Sequence, residues 1–128
     1  MNKLILAAVL AILSAESQAD SAKATGIFTS MQFGSEDVRG VEVFITYSDG
    51  GYFAQVQCAE GAISRPVVVP VSIAGPFVEF SVPKDLTPHS YSCPSGKFKG
   101  EISANGIKGH FEGTNWPGTL KRTNSYWN

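Results

Sequence analysis

His110 is the residue whose type and surroundings come nearest to supporting catalysis in this 128-residue chain. A turn at Asn105-Gly106 would place it opposite Glu101, with Glu112 nearby, which is the arrangement of a general base and an orienting carboxylate. On an exposed hairpin face, however, such residues form a solvated charge pair worth under about 1 kcal/mol. With no sign of a pocket beside them, we expect no catalytic residues here.

A second group of candidate residues lies around Cys93. His89 and Ser90 are adjacent in sequence, but adjacency does not create the geometry of a Ser-His-acid site. Cys58, Cys93 and His89 together lack the close ligand spacing of zinc motifs and a fourth ligand. The chain also has no glycine-rich phosphate loop and no Asp-rich calcium loop. We therefore expect a protein that is not an enzyme and that carries no metal or cofactor.

The first nineteen residues have the pattern of an export signal. Lys3 precedes an unbroken apolar run from Leu4 to Leu13, and a polar stretch follows with small residues at Ser17 and Ala19. The run is about half as long as a bilayer-spanning helix requires, so a retained anchor is not expected. We predict a signal peptide over 1–19 and one β domain over 20–128, with cleavage after Ala24 as the second choice. The mature protein would be periplasmic or secreted.

Export changes the interpretation of the two cysteines. In an oxidising compartment a pair of cysteines is more often a disulfide than a metal or redox site. We therefore predict a disulfide between Cys58 and Cys93, with two separate buried thiols as the alternative.

Composition narrows the class of protein. Ten basic and eleven acidic residues give a net charge of −1, which lacks the basic footprint of a nucleic-acid-binding protein. A hydrophobic content of 43% is too high for a disordered chain. Glycine and proline interrupt the region after the signal so often that helices have little room, whereas alternating β-branched and aromatic residues favour strands.

The alternation predicts an all-β fold, an antiparallel up-and-down meander of about eight strands that forms a small barrel. Pro66 and Pro70 flank one of these strands, and because proline cannot donate to a ladder we expect that strand to be bulged or at an edge. The sequence therefore does not decide whether the barrel closes fully, and a β-sandwich is the alternative fold. The predicted strands are Gly26 to Phe33, Val41 to Tyr47, Tyr52 to Cys58, Val67 to Ile73, Phe77 to Val82, Lys97 to Ser103, Ile107 to Glu112 and Thr119 to Arg122.

Two hairpins have turn signals that predict a register. Asp49-Gly50 would pair Tyr47 with Tyr52, which makes one face of the first hairpin wholly apolar. Asn105-Gly106 would pair Ala104 with Ile107. In the second hairpin this puts large residues opposite small ones, Ile102 with Gly109, Gly100 with Phe111 and Phe98 with Gly113. The other face would carry opposite charges, such as Lys99 facing Glu112, and such a face argues against a membrane barrel.

The segments Phe98-x-Gly100-x-Ile102, Asn105-Gly106-Ile107-x-Gly109-x-Phe111 and Leu120-Lys121-Arg122 resemble the closing strands of small lipocalin-like, calycin-type barrels of exported bacterial proteins. The resemblance covers about a quarter of the mature chain. It implies an eight-stranded meander, and it carries no functional residues.

In a meander every second connection lies at the same end. The longer connections, 34–40, 59–66, 83–96 and 113–118, would therefore gather at one end, where loops commonly carry binding groups. We expect an exported, non-catalytic binding protein that recognises a small molecule or a partner there. The candidate binding residues are Arg39, Arg65, His89, Tyr91 and Trp116.

Two alternatives remain at this stage. The first is an inhibitor or immunity-type protein that binds another exported protein, either through the same loops or by strand addition along Pro66 to Ile73. The second is an enzyme of unrecognised type, which would require a pH-dependent activity abolished by His89→Ala or His110→Ala.

Overall fold

The computed structural model describes residues 22–84 and 94–125. Every element bounded within this part is a β-strand, and it contains no helix that is long and apolar enough to cross a membrane. The strands are β1 (Gly26–Thr29), β2 (Gln32–Phe33), β3 (Val38–Ser48), β4 (Gly51–Glu60), β5 (Ala62–Ile63), β6 (Val67–Ala74), β7 (Phe77–Val82), β8 (Gly96–Ser103), β9 (Gly106–Phe111) and β10 (Pro117–Arg122).

Eight of these strands close into an antiparallel barrel. Each pairs with the next along the chain, and the first and last pair with each other through Phe28 and Arg122. The predicted meander is thus confirmed, the question of closure is answered, and the sandwich alternative is excluded. The two short strands continue their neighbours: β2 keeps the register of β1 against β3, and β5 precedes β6 along β4.

The first hairpin, β3–β4, has the predicted register. Its two-residue turn at Asp49-Gly50 pairs Tyr47 with Tyr52 and Val41 with Cys58. Side chains alternate between the two faces of a strand, so one face enters the core, where Val43, Ile45, Ala54 and Val56 are fully buried, whereas Tyr47 beside the turn is exposed. A slip by one residue would turn this whole face to water, which is why the hydrophobic pattern determines the register.

The second hairpin, β8–β9, has the predicted inner and outer faces but a different register. The turn is Ala104-Asn105, and Gly106 already pairs with Ser103. Ile102 lies opposite Ile107 and Phe98 opposite Phe111, so the prediction that large residues face small ones is wrong. The shift is two residues, which leaves every side chain on its predicted face. Gly106 is the first residue of β9. Glycine is needed at this position because a Cβ there would lie 2.1 Å from the Leu120 carbonyl oxygen of β10.

A pair of glycines makes room for the aromatic core in this hairpin. Gly100 lies opposite Gly109, and a Cβ on Gly109 would come within 2.6 Å of the Phe98 ring. The ring therefore lies over backbone that carries no side chain. It stacks on Phe80 at 4.8 Å and meets the Phe111 ring edge-on at 5.4 Å. Aromatic pairs in these geometries stabilise a core beyond the area that they bury.

Arg122 lies at the end of the barrel that carries the two-residue turns. Its guanidinium lies 4.6 Å from the centroid of the Phe28 ring and donates to the carbonyl oxygens of Thr25 (2.9 Å) and Ser103 (3.3 Å), and also to that of Lys23. A cation over an aromatic face is attracted by the ring quadrupole. Arg122 therefore joins the segment before β1 to the last strand.

The proline-flanked strand β6 is bulged and is not an edge. One extra residue enters at Arg65-Pro66, since Ser64 bonds to Cys58 whereas Val67 pairs with Val56. Beyond the bulge β6 pairs with β4 over five residues, but with β7 only from Ala74 to Ser72. Successive N–H groups of a strand point alternately to its two neighbours. Beyond Ser72, the next N–H of β6 directed toward β7 would therefore belong to residue 70. Proline has no N–H to donate, and the ladder ends there.

Candidate binding surface at the long-loop end

The connections divide between the two ends of the barrel as predicted. The turns at 49–50, 75–76 and 104–105 are two residues long and lie at one end, whereas the connections at 34–37, 61–66 and 112–116 lie at the other, as do the end of β7 and the start of β8. We call the latter the long-loop end. The alternation follows from antiparallel succession around a closed barrel, and it brings Arg39, Arg65 and Trp116 to the same end.

One side of the long-loop end stands higher than the other. The paired strands β3 and β4 continue to Val38 and Glu60, with β2 and β5 hydrogen-bonded on either side of them. We call this four-stranded projection the lip. Its cross-strand row runs Gln32, Arg39, Glu60, Ala62. Side chains alternate between the two faces of a strand, so this row lies on the inner face of the ladder. It is the inward-facing row next to the buried pair Val41 and Cys58.

The lip has a small core of its own. Met31, Val38 and Ala59 form a second buried cluster, separate from the barrel core. A Cβ on Gly40 would lie 2.5 Å from the Ser30 carbonyl oxygen, so the chain before β2 passes directly against β3. Ser30 secures this contact, since its N–H donates to the Val41 carbonyl (2.8 Å) and its Oγ accepts from the Val41 N–H (3.0 Å). The lip is therefore a packed element.

Charges on the lip are exposed and only loosely paired. Arg39 lies 3.4 Å from the Asp37 carboxylate, and its side chain is 72% exposed. Glu60 is also exposed and lies across the ladder from Arg39. Exposed ion pairs contribute little to stability, typically about 0–1 kcal/mol, so these groups are available to other partners at small cost.

Arg65 projects from the bulge beside the lip. The neighbouring Ser64 is buried; its Oγ accepts from the Cys58 N–H (2.9 Å), and its carbonyl oxygen accepts from the Gln57 side-chain amide (3.0 Å). These bonds hold the bulge while Arg65 itself stays exposed. Two of the predicted binding residues, Arg39 and Arg65, thus lie on or next to the same structured element.

Trp116 lies on the lower side of this end, where it packs against the core. Its ring stacks on Phe111 with centroids 5.9 Å apart, and it is half-buried. Thr114 holds the loop, because its Oγ1 accepts from the Trp116 N–H (3.1 Å) and donates to the Phe111 carbonyl (3.0 Å). The peptide between Trp116 and Pro117 is cis. Trp116 therefore covers the barrel interior with one part of its ring and leaves another part accessible.

The other predicted groups lie outside the described residues, namely His89, Tyr91 and Cys93. Their roles in binding and in the disulfide stay predictions. Cys58 is fully buried at the base of the lip, on the long-loop side of the core.

The charge pattern predicted on the outer wall needs correction. His110 pairs with Lys99, and Glu101 pairs with Lys108, so His110 does not face a carboxylate across the ladder. The predicted Lys99–Glu112 contact does form, at 3.4 Å, between neighbours that are diagonal in the observed register. Lys99, Glu101, Lys108, His110 and Phe77 are among the residues that line an open groove of about 490 Å³. Alternating charges neutralise one another there, which is typical of a solvated sheet face.

The barrel interior is filled with side chains. Phe28, Phe98, Phe111, Ile45, Ile107 and Leu120 are all at most 1% exposed. Within residues 22–84 and 94–125 no group of three or more potential metal ligands comes together. The described surface can therefore make contacts and hydrogen bonds at its rim, and it offers no assembled metal centre.

Sequence reasoning missed the lip, and with it the position of Gln32 and Glu60. The residues of β2 were predicted as the end of a single strand from Gly26 to Phe33, whereas β5 and Gly61 were predicted as part of a connection. What makes them strands is pairing with β3 and β4, which no local pattern specifies.

Comparison with known proteins adds no family to this picture: no family model, no curated protein and no solved structure matches the chain.

Proposed function

We propose that this protein is a non-catalytic binding protein that works after export and recognises a partner at the long-loop end. The observation that carries the proposal is the lip, a packed projection that displays Arg39 and Glu60 above a filled barrel. A protein that used its interior for a ligand would need space there, whereas the large side chains inside this barrel occupy it. Recognition at the rim is what this architecture supports.

The filled interior favours a protein partner over a small molecule. The lip carries the exposed apolar groups Phe33 (69% exposed) and Ile63 (47%) on one face of its ladder and Arg39 on the other, and Arg65 lies beside it. Aromatic residues and arginine are enriched in protein interfaces, and a few such anchors supply most of the binding energy. An inhibitor or immunity-type protein that binds another exported protein is therefore the second, more specific candidate.

The route by which that candidate would bind is changed by the fold. Strand addition along Pro66 to Ile73 is no longer a suitable route, since β6 already pairs with β4 and lacks an N–H at Pro70. The lip and its neighbouring loops are the surface that we propose for either form of binding.

Export itself remains part of the proposal, and the packing bears on the cleavage site. Ala22 and Ala24 pack against the barrel core, and the carbonyl oxygens of Lys23 and Thr25 accept hydrogen bonds from Arg122. Cleavage after Ala24 would remove three of these four residues, so the contacts favour cleavage after Ala19. The mass of the exported protein measures which bond is cut.

The test is affinity capture of exported proteins from the source organism, with the wild-type domain as bait. The double variant Arg39→Ala/Arg65→Ala should lose a stoichiometric partner, because it removes the arginine on the lip and the arginine beside it. The control Lys108→Ala/Lys121→Ala removes the same charge from the exposed outer wall and should keep the partner. A partner that the Arg39→Ala/Arg65→Ala variant retains and the control variant loses would contradict the proposal.

Native mass spectrometry of the purified protein separates the two kinds of partner. A bound polypeptide that depends on Arg39 and Arg65 supports the protein-binding candidate. A bound small molecule with the same dependence would keep the surface and replace the kind of partner.

A further inference from the structure

A cleft lies along the seam at which the barrel closes. β1 and β10 pair over two residues each, and toward the long-loop end their ladder stops at Thr29 and Lys121. Beyond this pair the two strands part, because β1 leads into the lip whereas β10 stays with β9. Thr29, Met31, Thr119 and Lys121 are among the residues that line the resulting space of about 330 Å³, which we call the seam cleft. Small-molecule sites in proteins begin at about this size.

The packing of the lip holds the seam open. A continued ladder would pair Met31 with Thr119, two positions beyond Thr29 and Lys121. Met31 is instead buried in the small core of the lip. Its N–H donates to the Oγ1 atom of Thr29 (3.1 Å), which lies in its own segment of the chain. Met31 therefore supplies no N–H to β10, and the ladder between the two strands ends.

The open seam leaves the backbone N–H of Thr119 directed into the cleft. Arg122 N–H donates to the Asn105 carbonyl oxygen (2.9 Å), on the side of β9. Thr123 N–H donates to the Ile27 carbonyl oxygen (3.1 Å), on the side of β1. Successive N–H groups point alternately to the two neighbours of a strand, so Thr119 points to the side of β1, as Thr123 does. Within residues 22–84 and 94–125 its N–H has no hydrogen-bond partner.

Two side chains add further donors to the cleft. Thr29 Oγ1 accepts the Met31 N–H, and the hydroxyl keeps its own proton to donate. Lys121 is exposed, and among the described residues no carboxylate lies within ion-pair distance of it. The other cation of the cleft, Arg122, is engaged by the Phe28 ring and by carbonyl oxygens. Lys121 therefore provides the charge that is available to a ligand.

No acidic residue lines the seam cleft in the part of the chain that the structure describes. One carboxylate lies beside it, that of Glu42, which is opposite Thr29 on the side away from β10. Glu42 is buried and accepts a hydrogen bond from Ser125 Oγ (2.8 Å). Like charges repel at this range, so Glu42 should weaken the binding of an anion without preventing it.

We propose that the seam cleft binds a phosphate or sulfate group. Such a group has only acceptor oxygens at neutral pH, and these point to several sides. It can therefore accept from Thr119 N–H and Lys121 on one wall and from the Thr29 hydroxyl on the other. Hydrogen bonds to an ionised acceptor are roughly twice as strong as those between neutral groups. The proposal goes beyond recognition at the lip and does not depend on it.

An NMR titration with inorganic phosphate tests the site, because the amide signal of Thr119 reports its own hydrogen bond. The shift of that signal should saturate in about 0.15 M NaCl, where general charge attraction is screened beyond about 8 Å. Lys121→Gln should weaken the affinity at least about fivefold. The matched control Lys99→Gln removes the same charge from β8, two strands away, and should change it by less than about twofold. Equal effects of the two variants, or a shift that does not saturate, would overturn the proposal.

Two further variants test the position of the anion. Thr29→Val removes the hydroxyl and should weaken phosphate binding, whereas Thr29→Ser keeps the hydroxyl and should preserve it. Glu42→Gln should tighten binding, because it removes the carboxylate next to Thr29. Amide spectra without phosphate show whether each variant keeps the barrel. Unchanged affinity in Thr29→Val, or weaker affinity in Glu42→Gln, would contradict an anion held between β1 and β10.

The group can be a free ion or part of a larger molecule, and the volume of the cleft has room for either. Titrations with inorganic phosphate, glucose 6-phosphate and glucose distinguish these sources. Tighter binding of glucose 6-phosphate assigns an ester, and equal affinities assign the free ion. Glucose that binds as tightly as its phosphate would overturn the proposal. The variant Lys108→Ala/Lys121→Ala, which should keep a partner at the lip, should lose phosphate, so the two proposals fail independently.

Discussion

The two hairpins β3–β4 and β8–β9 resemble each other in outline and differ in what holds them. Each has a two-residue turn and a buried inner face. To the barrel core the first contributes fully buried aliphatic residues and cysteine, including Val43 and Val56, whereas the second contributes an aromatic cluster above a rung of paired glycines, Gly100 and Gly109. The first hairpin is therefore specified by its own pattern, and the second depends on strands that pack against it.

The largest expected difference concerns the aromatic cluster. Phe98→Ala should lower the free energy of unfolding by about 3–5 kcal/mol, because a fully buried ring is lost from contact with Phe80 and Phe111. Val43→Ala in the first hairpin removes only two methyl groups and should cost less. Urea unfolding with an unchanged m-value measures both. Equal losses would mean that the aromatic cluster has no special weight.

The next prediction concerns a covalent link between the first hairpin and the connection that precedes the second. A Cys58–Cys93 disulfide should stabilise the domain by roughly 3–4 kcal/mol through loop closure. Alkylation of unfolded protein should label no thiol before reduction and two after it. Reduction should then lower stability as much as Cys93→Ser does. Two thiols that react without reduction would show that the link is absent.

Glycine substitutions compare the turn of the first hairpin with the start of β9 in the second. Gly106→Ala should cost roughly 2–3 kcal/mol, because its Cβ would collide with the Leu120 carbonyl oxygen of the neighbouring strand. Gly50→Ala should change stability by less than about 0.5 kcal/mol, since no atom lies within 4 Å of a Cβ there. Thermal unfolding of the two variants measures the contrast. A similar stability for the two variants would mean that Gly106 is not required by the close approach of β10.

The hydrogen bonds at the far end of the first hairpin give a smaller effect. Ser64→Ala should cost about 1–2 kcal/mol, because the buried N–H of Cys58 loses its acceptor. Ser103→Ala is the matched control at the exposed turn of the second hairpin and should be nearly neutral. Hydrogen exchange at Cys58 reports the lost bond directly, and unchanged protection there would argue against this role of Ser64.

The smallest effect is expected on the outer face of the second hairpin. Lys99 and Glu112 are about half exposed, so their coupling in a double-mutant cycle should be below about 1 kcal/mol and should fall with added salt. A larger coupling that salt does not change would mean that the outer wall contributes to the fold.

Much of the fold was predictable because local pattern and turn chemistry agreed. All eight predicted strands are present, although the first, Gly26 to Phe33, is divided into β1 and β2, and the predicted Phe77–Val82 coincides with β7. The first register was predicted correctly because Val41, Val43 and Ile45 have one possible inner face. The second was wrong by two residues, since Asn105-Gly106 was interpreted as a turn, whereas Gly106 is needed against β10. A local turn signal cannot distinguish these two uses of glycine.

The candidate site was only partly predictable. The grouping of long connections follows from the meander, so Arg39, Arg65 and Trp116 were placed at the correct end. The lip was not predicted, because the residues of β2 were placed in one strand with β1 and those of β5 in a connection. Trp116 was expected as a binding anchor, and it also packs on Phe111, a contact that joins a loop to β9 in space.

The amino-acid sequence by itself determined the strands and the side of each strand that faces the core, because alternation of apolar and polar residues is a local property of the chain. The tertiary structure alone decided the closure of the barrel, the register at Gly106 and the lip that stands above the filled core. Each of these depends on backbone from a distant part of the chain approaching closely. Such approaches are determined by packing and hydrogen bonding between strands, and residues that are neighbours in sequence do not encode them.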